Sequence, residues 1–142
     1  MTEIALVLGI TALISVLATP LFLTYYQSSR LRAAAEQIAA LVNQGRQLGI
    51  RENTGACIHV DTSALQYRTG TTCGGSAWIG AGTDAAGKIA VPDGITLSTT
   101  ADPVFSYLGA ASPGATITVT NAQDGRVLRV TVAVSGRVTV GP

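Results

Sequence analysis

Residues 4–23 read IALVLGITALISVLATPLFL, an uncharged apolar run of about 20 residues, the length a helix needs to cross a bilayer. One acid, Glu3, stands immediately before it. A carboxylate at the mouth of an apolar helix is costly in hydrocarbon unless a cation meets it, so it marks a functional position by default. The run divides the chain into a greasy stem and a cargo. At 142 residues there is room for the stem plus one domain of roughly 90 residues and nothing further. Only 12% of the residues are charged against 47% hydrophobic, about half the usual charged share. Such a chain dissolves poorly as a free monomer and suits burial in an assembly. The net charge of +1 gives no global field to recruit nucleic acid or anionic lipid.

The run differs from a secretory signal, which has a basic start and a small-residue cleavage site after a shorter apolar core. No Lys or Arg precedes it, and the first cations are Arg30 and Arg32. Those arginines favour a cytoplasmic location for the chain from residue 30 onward. The two cysteines, Cys57 and Cys73, argue the reverse. Two thiols do not complete a four-ligand zinc site, and a disulfide between them implies an oxidising compartment; two free buried thiols are the other reading. A basic leader, once present before Met1 and then removed, reconciles the two signals. A disulfide closing a loop of about 17 residues contributes roughly 3 kcal/mol in the chain-entropy picture.

Beyond the run, Leu31, Ala34, Ile38, Leu41 or Val42, Gly45 and Leu48 recur every three or four residues, one apolar face of a helix. The pattern predicts one continuous helix over residues 2–50, roughly 70 Å long, apolar all round in its first half and amphipathic in its second. Gly9 and Pro20 are its weak points, since glycine lowers helix propensity and proline removes a backbone donor. A kink or local melting is expected just upstream of Pro20. The helix should end at the Asn53-Thr54-Gly55 turn. Short β-prone runs come next at 57–61, 65–69, 88–91, 95–98, 104–108, 116–120, 126–134 and 137–140, separated by turn residues. They predict an antiparallel sheet, apolar on one face, covered by the amphipathic half of the helix. The fold class is α+β, with residues 1–29 as a protruding transmembrane or assembly helix and 30–142 as the globular part.

The opening MTEIALVLGITALISVLATPLF resembles the N-terminus of type IV pilins and type II secretion pseudopilins. That family begins, after leader cleavage, with a short apolar string ending in glutamate and continues as an apolar helix interrupted by proline. Glu3 matches the family's acid, and the interval from Glu3 to Pro20 matches the family's interval. The stretch RLRAAAEQIAALVNQGRQLGIREN and the ending ATITVTNAQDGRVLRVTVAVSGRVTV, with its Gly136-Arg137 step, resemble the minor-pilin branch called FimT or pseudopilin H. The family's acid lies four residues after the cleaved terminus and here lies two after Met1. Either Met1 is the third residue of a longer mature chain or the start is shortened.

The resemblance implies a structural subunit, held in the inner membrane by its stem after a leader peptidase acts, then polymerised by pilus machinery into a cell-surface filament of identical copies. The alternatives are a minor pseudopilin of a secretion or DNA-uptake machine and a tethered binding domain that never polymerises. Within the family mechanism Glu3 pairs with the charged, N-methylated amine of a neighbouring terminus, here Met1. Removing one member of a buried pair typically costs about 3–5 kcal/mol; a helix-dipole role for Glu3 would be worth only about 0.3–1 kcal/mol. A segment between Gly9 and Pro20 would unwind as the subunit leaves the membrane, and Tyr25 and Tyr26 suit the membrane interface.

No catalytic, metal or cofactor site is expected. The only histidine, His59, sits in a β-prone run beside Cys57 and reads as a sheet-face residue, with no Ser or Cys nucleophile pattern around it. Asp84, Asp93, Asp102 and Asp124 stand isolated in turns, without a calcium-loop pattern. The glycines around Gly74-Gly75 and Gly80 lack the lysine and helix of a phosphate loop. Some relatives in the branch bind DNA through basic C-terminal residues, which makes Arg126, Arg129 and Arg137 the candidate DNA contacts. Three arginines on different strand faces more often form ordinary solvated surface.

Overall fold

The computed structural model describes residues 2–142; Met1 and the side chains at 17–19 and 21 lie outside the described residues. The chain divides into two compact units, one ending at Arg30 and the other spanning Leu31–Pro142. Helix α1 (Thr2–Arg51) contributes to both. In the first unit it continues as helix through Gly9 and Pro20. Among the described residues no helix is long and apolar enough to cross a membrane. The spanning segment expected over residues 4–23 includes side chains 17–19 and 21, which lie outside the described residues.

In the second unit the helix buries the face its spacing predicts. Leu31, Ala34, Ala35, Ile38, Val42 and Leu48 pack into one core with Ile58, Leu65, Tyr67, Phe105, Ile117, Val119, Val130 and Val132 from the strands. Gly45 sets how closely helix and sheet approach, because a Cβ there would come within 2.8 Å of Ile58 Cδ1 and 3.1 Å of the Tyr67 ring. The helix ends where Asn53 adopts φ 49° and Thr54 N donates to Gly49 O, as the Asn-Thr-Gly turn implies.

The strands form two antiparallel sheets rather than the single one expected. In the first the order is β3 (Lys88–Ala90), β2 (Ala64–Thr69), β1 (Ala56–Val60), β5 (Val104–Phe105). In the second it is β4 (Ile95–Thr99), β6 (Ala115–Asn121), β7 (Val127–Val132), β8 (Val138–Gly141). The Pro92-Asp93-Gly94 turn, with Gly94 at φ 80°, passes the chain from one sheet to the other instead of folding it back as a hairpin. The Thr62-Ser63 turn then ties both sheets: Val91 N donates to Ser63 O and Leu97 N to Thr62 O. The strand expected over 104–108 shortens to two residues because Gly109 N bonds Ser106 O and turns the chain. That expected over 126–134 loses its end to a turn in which Gly136 N bonds Ala133 O. Burial alternates strictly along β6, so Ile117 and Val119 face the helix side and Thr116, Thr118 and Thr120 the other.

Candidate functional site

Two regions hold the candidate residues. In the first unit, Ile4, Leu6, Val7, Leu8, Ile10, Leu13, Ile14 and Val16 are all at least half exposed, as are Phe22 and Leu23. Several hydroxyl side chains here bond their own helix backbone. Thr11 Oγ1 donates to Val7 O (2.9 Å) and Leu8 O (3.0 Å), Ser15 Oγ to Thr11 O (2.8 Å), and Thr24 Oγ1 to Pro20 O (2.6 Å). Back-bonded hydroxyls leave little polar surface for water to compete for, which fits a helix that works in an apolar setting. Glu3 is exposed in the first turn and borders a shallow, apolar groove with Ile4, Val7 and Leu8. Its expected partner, Met1, lies outside the described residues. Nothing lies within 4 Å of a Cβ built at Gly9, and Pro20 is exposed. Toward the end of the unit, Phe22 stacks on Tyr26 at 6.4 Å and the Arg30 guanidinium sits 5.7 Å from the Tyr26 ring centre, a cation–π contact.

The second unit contains the covalent clamp. Cys57, on β1, and Cys73 form a disulfide with Cα atoms 5.1 Å apart. It pins the glycine-rich loop after β2, and further hydrogen bonds hold that loop. Arg68 Nη1 donates to Cys73 O (2.8 Å), Gln66 Nε2 to Ala86 O (2.7 Å) and Trp78 N to Tyr67 O (2.8 Å). Asp102 lies near both sulfurs, but sulfurs joined to each other do not ligate a metal.

Asp102 is not the isolated turn residue expected. Its Oδ2 lies 2.6 Å from His59 Nδ1 and its Oδ1 accepts the Val60 amide at 3.1 Å. His59 is 41% and Asp102 24% exposed, and the contacts of Asp102 go to His59 and a main-chain amide, so it acts as a brace between β1 and the segment entering β5. Asp61 accepts hydrogen bonds from the Thr62 amide and then from Lys88 Nζ (3.2 Å), which hold its carboxyl below the ordinary carboxylate range. Tyr67 donates its hydroxyl to Leu41 O at 2.8 Å. Burial pushes its ionisation well above the usual 10.0.

The three candidate DNA contacts do not converge. Arg126 turns back on Asp124 (3.6 Å) and Arg129 Nη1 donates to Pro142 O (3.3 Å). Arg137 comes after the turn at the other end of β7. Sequence reasoning missed Arg46, whose Nε is buried with no hydrogen-bond partner among the described residues, beneath the turns of Gly109 and Gly136. Gly136 has φ 81°, and a Cβ on it would overlap the Gly109 carbonyl oxygen. The Ser135-Gly136 turn was the available signal; nothing local in the sequence connects it to Arg46.

A helix whose second half lies in the core with two antiparallel sheets, and whose first half exposes its described large apolar side chains, defines the pilin-type fold. The chain belongs to the family described as type II transport protein GspH, which matches residues 34–136. Three solved structures share the fold. The type IV minor pilin FimU of Pseudomonas aeruginosa is 15% identical, with 83% of this chain and 92% of that one covered and a TM-score of 0.59. The minor pseudopilin EpsH from the type 2 secretion system of Vibrio cholerae is 12% identical, covering 78% and 95%, with a TM-score of 0.58. Escherichia coli GspH is 17% identical, covering 79% and 87%, with a TM-score of 0.60. No curated protein sequence matches the chain.

Proposed function

We propose that the chain is a structural subunit that polymerises through residues 2–30 into a type IV pilus-like filament outside the cell. The observation that carries this reading is the exposed apolar surface of the described residues of that unit, where Thr11, Ser15 and Thr24 bond their own helix backbone. So much apolar area is unfavourable in water by about 25 cal/mol per Å², so lipid or neighbouring stems cover it. The stem resides in the inner membrane before assembly, and Glu3 sets register by pairing with the amino terminus of an adjacent copy. Residues between Gly9 and Pro20 unwind on the way out, where a glycine and a missing donor weaken the helix. The Cys57–Cys73 disulfide supports an oxidising, extracytoplasmic location for the domain. We assign no enzymatic step to it.

A second reading, a minor subunit at low copy number, is supported by the GspH family match and by the likeness to a minor pilin and a minor pseudopilin. Quantitative mass spectrometry of sheared fibres, with immunogold labelling of the domain, tests both. Labelling along the fibre supports the main-subunit reading, and labelling restricted to rare points supports the minor one. Fibres free of this chain, with the chain confined to the membrane fraction, would leave a tethered domain and overturn both.

A further inference from the structure

The glycine-rich loop after β2 carries the only tryptophan of the chain, Trp78, and the loop and the second half of α1 together line a groove of about 280 Å³. Its walls are Gln44, Gln47, Leu48, Arg51, Tyr67 and Trp78. We infer that this groove binds a neutral sugar ring, with Trp78 as the platform and the amides of Gln44 and Gln47 as the hydroxyl readers. The inference is independent of filament formation.

The aromatic wall comes first. The Trp78 and Tyr67 rings lie 6.0 Å apart, tilted by 55°. Tyr67 is buried and its hydroxyl is committed to Leu41 O, so the half-buried indole is the aromatic surface a ligand meets. Gly80 backs that indole: a Cβ there would overlap the six-membered part of the ring, so only glycine lets the indole lie against the loop. The opposite wall is a helix face, because residues 44, 47 and 51 keep the i, i+3, i+7 spacing. Gln44 and Gln47 are exposed, and neither side chain forms a hydrogen bond among the described residues.

The chemistry of this lining selects the ligand. Each glutamine amide carries both donor and acceptor atoms, matching sugar hydroxyls that also do both. An aromatic face accepts the apolar C–H face of a pyranose. Arg51 is paired with Glu52 at 3.2 Å, which offsets the one charge at the groove and disfavours a free anion. The volume lies at the small end of ligand sites, which suits one ring rather than a chain. Preorganisation adds to the case, since the disulfide and the bonds from Arg68, Gln66 and Trp78 N already order the loop. Little ordering cost is left for binding.

The test uses the full chain in a sugar-free zwitterionic detergent, with Trp78 emission as the readout. Glucose, galactose and N-acetylglucosamine are titrated, with citrate as an anionic control. A saturable emission change with at least one sugar is expected at about millimolar concentration. The Gln44→Ala/Gln47→Ala variant, altered only on an exposed helix face, keeps the wild-type far-UV circular dichroism and binds about tenfold more weakly. The inference is overturned by no saturable change with any of the three sugars, by an unaltered titration in the double variant, or by citrate responding as strongly as the sugars.

Discussion

The two halves of α1 share a backbone and differ in what their side chains meet. From Leu31 onward the apolar positions are spaced at helical intervals and vanish into the core; Ile38 is 0% exposed. Before Arg30 the described large apolar side chains are exposed, and Ile10, an equally large one, is 51% exposed. Packing into the core therefore accounts for the second half of the helix, whereas the described large apolar side chains of the first half are at least half exposed. The lesson is that a single helix can serve two stability problems. The second half is stabilised within the chain, and for the first the proposed assembly would supply the cover.

The sharpest way to break that comparison is at Glu3. Replacing Glu3 by Leu should abolish fibres in electron micrographs while the domain keeps its unfolding midpoint; fibres at wild-type number would remove the role assigned to this acid. Next in size is a matched pair of truncations. Ile38→Ala should lower the domain's unfolding free energy by about 2–5 kcal/mol, whereas Ile10→Ala should leave it within about 0.5 kcal/mol. Urea titrations of both in detergent decide this, and equal losses would erase the distinction between the halves.

Reduction of Cys57–Cys73, or Cys57→Ser with Cys73→Ser, should cost the domain roughly 3 kcal/mol in the chain-entropy picture and leave the helicity of the stem unchanged. Far-UV circular dichroism with and without reductant reads both effects. Gly136→Ala should cost about 1–3 kcal/mol, because the turn holds φ at 81° and the new methyl would meet the Gly109 carbonyl. Gly9→Ala, with open space around it, should by contrast be tolerated in the isolated chain.

The smallest effects are those of pH, and both belong to the second unit. The raised ionisation of Tyr67 means that the unfolded chain loses its phenolic proton first. Stability is then fully present below about pH 10 and falls as pH rises beyond it. Tyr67→Phe should flatten that alkaline limb while losing the bond to Leu41 O. The lowered Asp61 works in the other direction: its contribution is present above the ordinary value of 3.8 and is lost as pH falls below it. The site is exposed, so the loss should be slight, and Asp61→Asn should remove it in urea titrations near pH 3.

Much of this architecture is written in local pattern. The spacing of Leu31, Ala34, Ile38, Val42, Gly45 and Leu48 is sufficient to orient the helix, and the alternation of 116–120 to orient β6, because each reflects the period of its own element. The pairing of Cys57 with Cys73 reflects there being only two cysteines. Contacts between distant segments were not legible. Two sheets instead of one depend on the Pro92-Asp93-Gly94 turn carrying the chain across instead of back, and the His59–Asp102 brace joins residues that no periodic signal relates. The Trp78 groove likewise needs a loop and a helix face to meet; its sequence shows only a short apolar piece among glycines.

The most direct test of the central claim is a cryo-electron microscopy reconstruction of the surface fibres, at a resolution that traces the stems. The account predicts residues 2–30 of successive copies packed against one another, with the Glu3 carboxyl shielded from solvent and within ion-pair distance of a neighbouring amino terminus. Stems separated from each other, or a Glu3 carboxyl hydrated at the fibre surface, would contradict it.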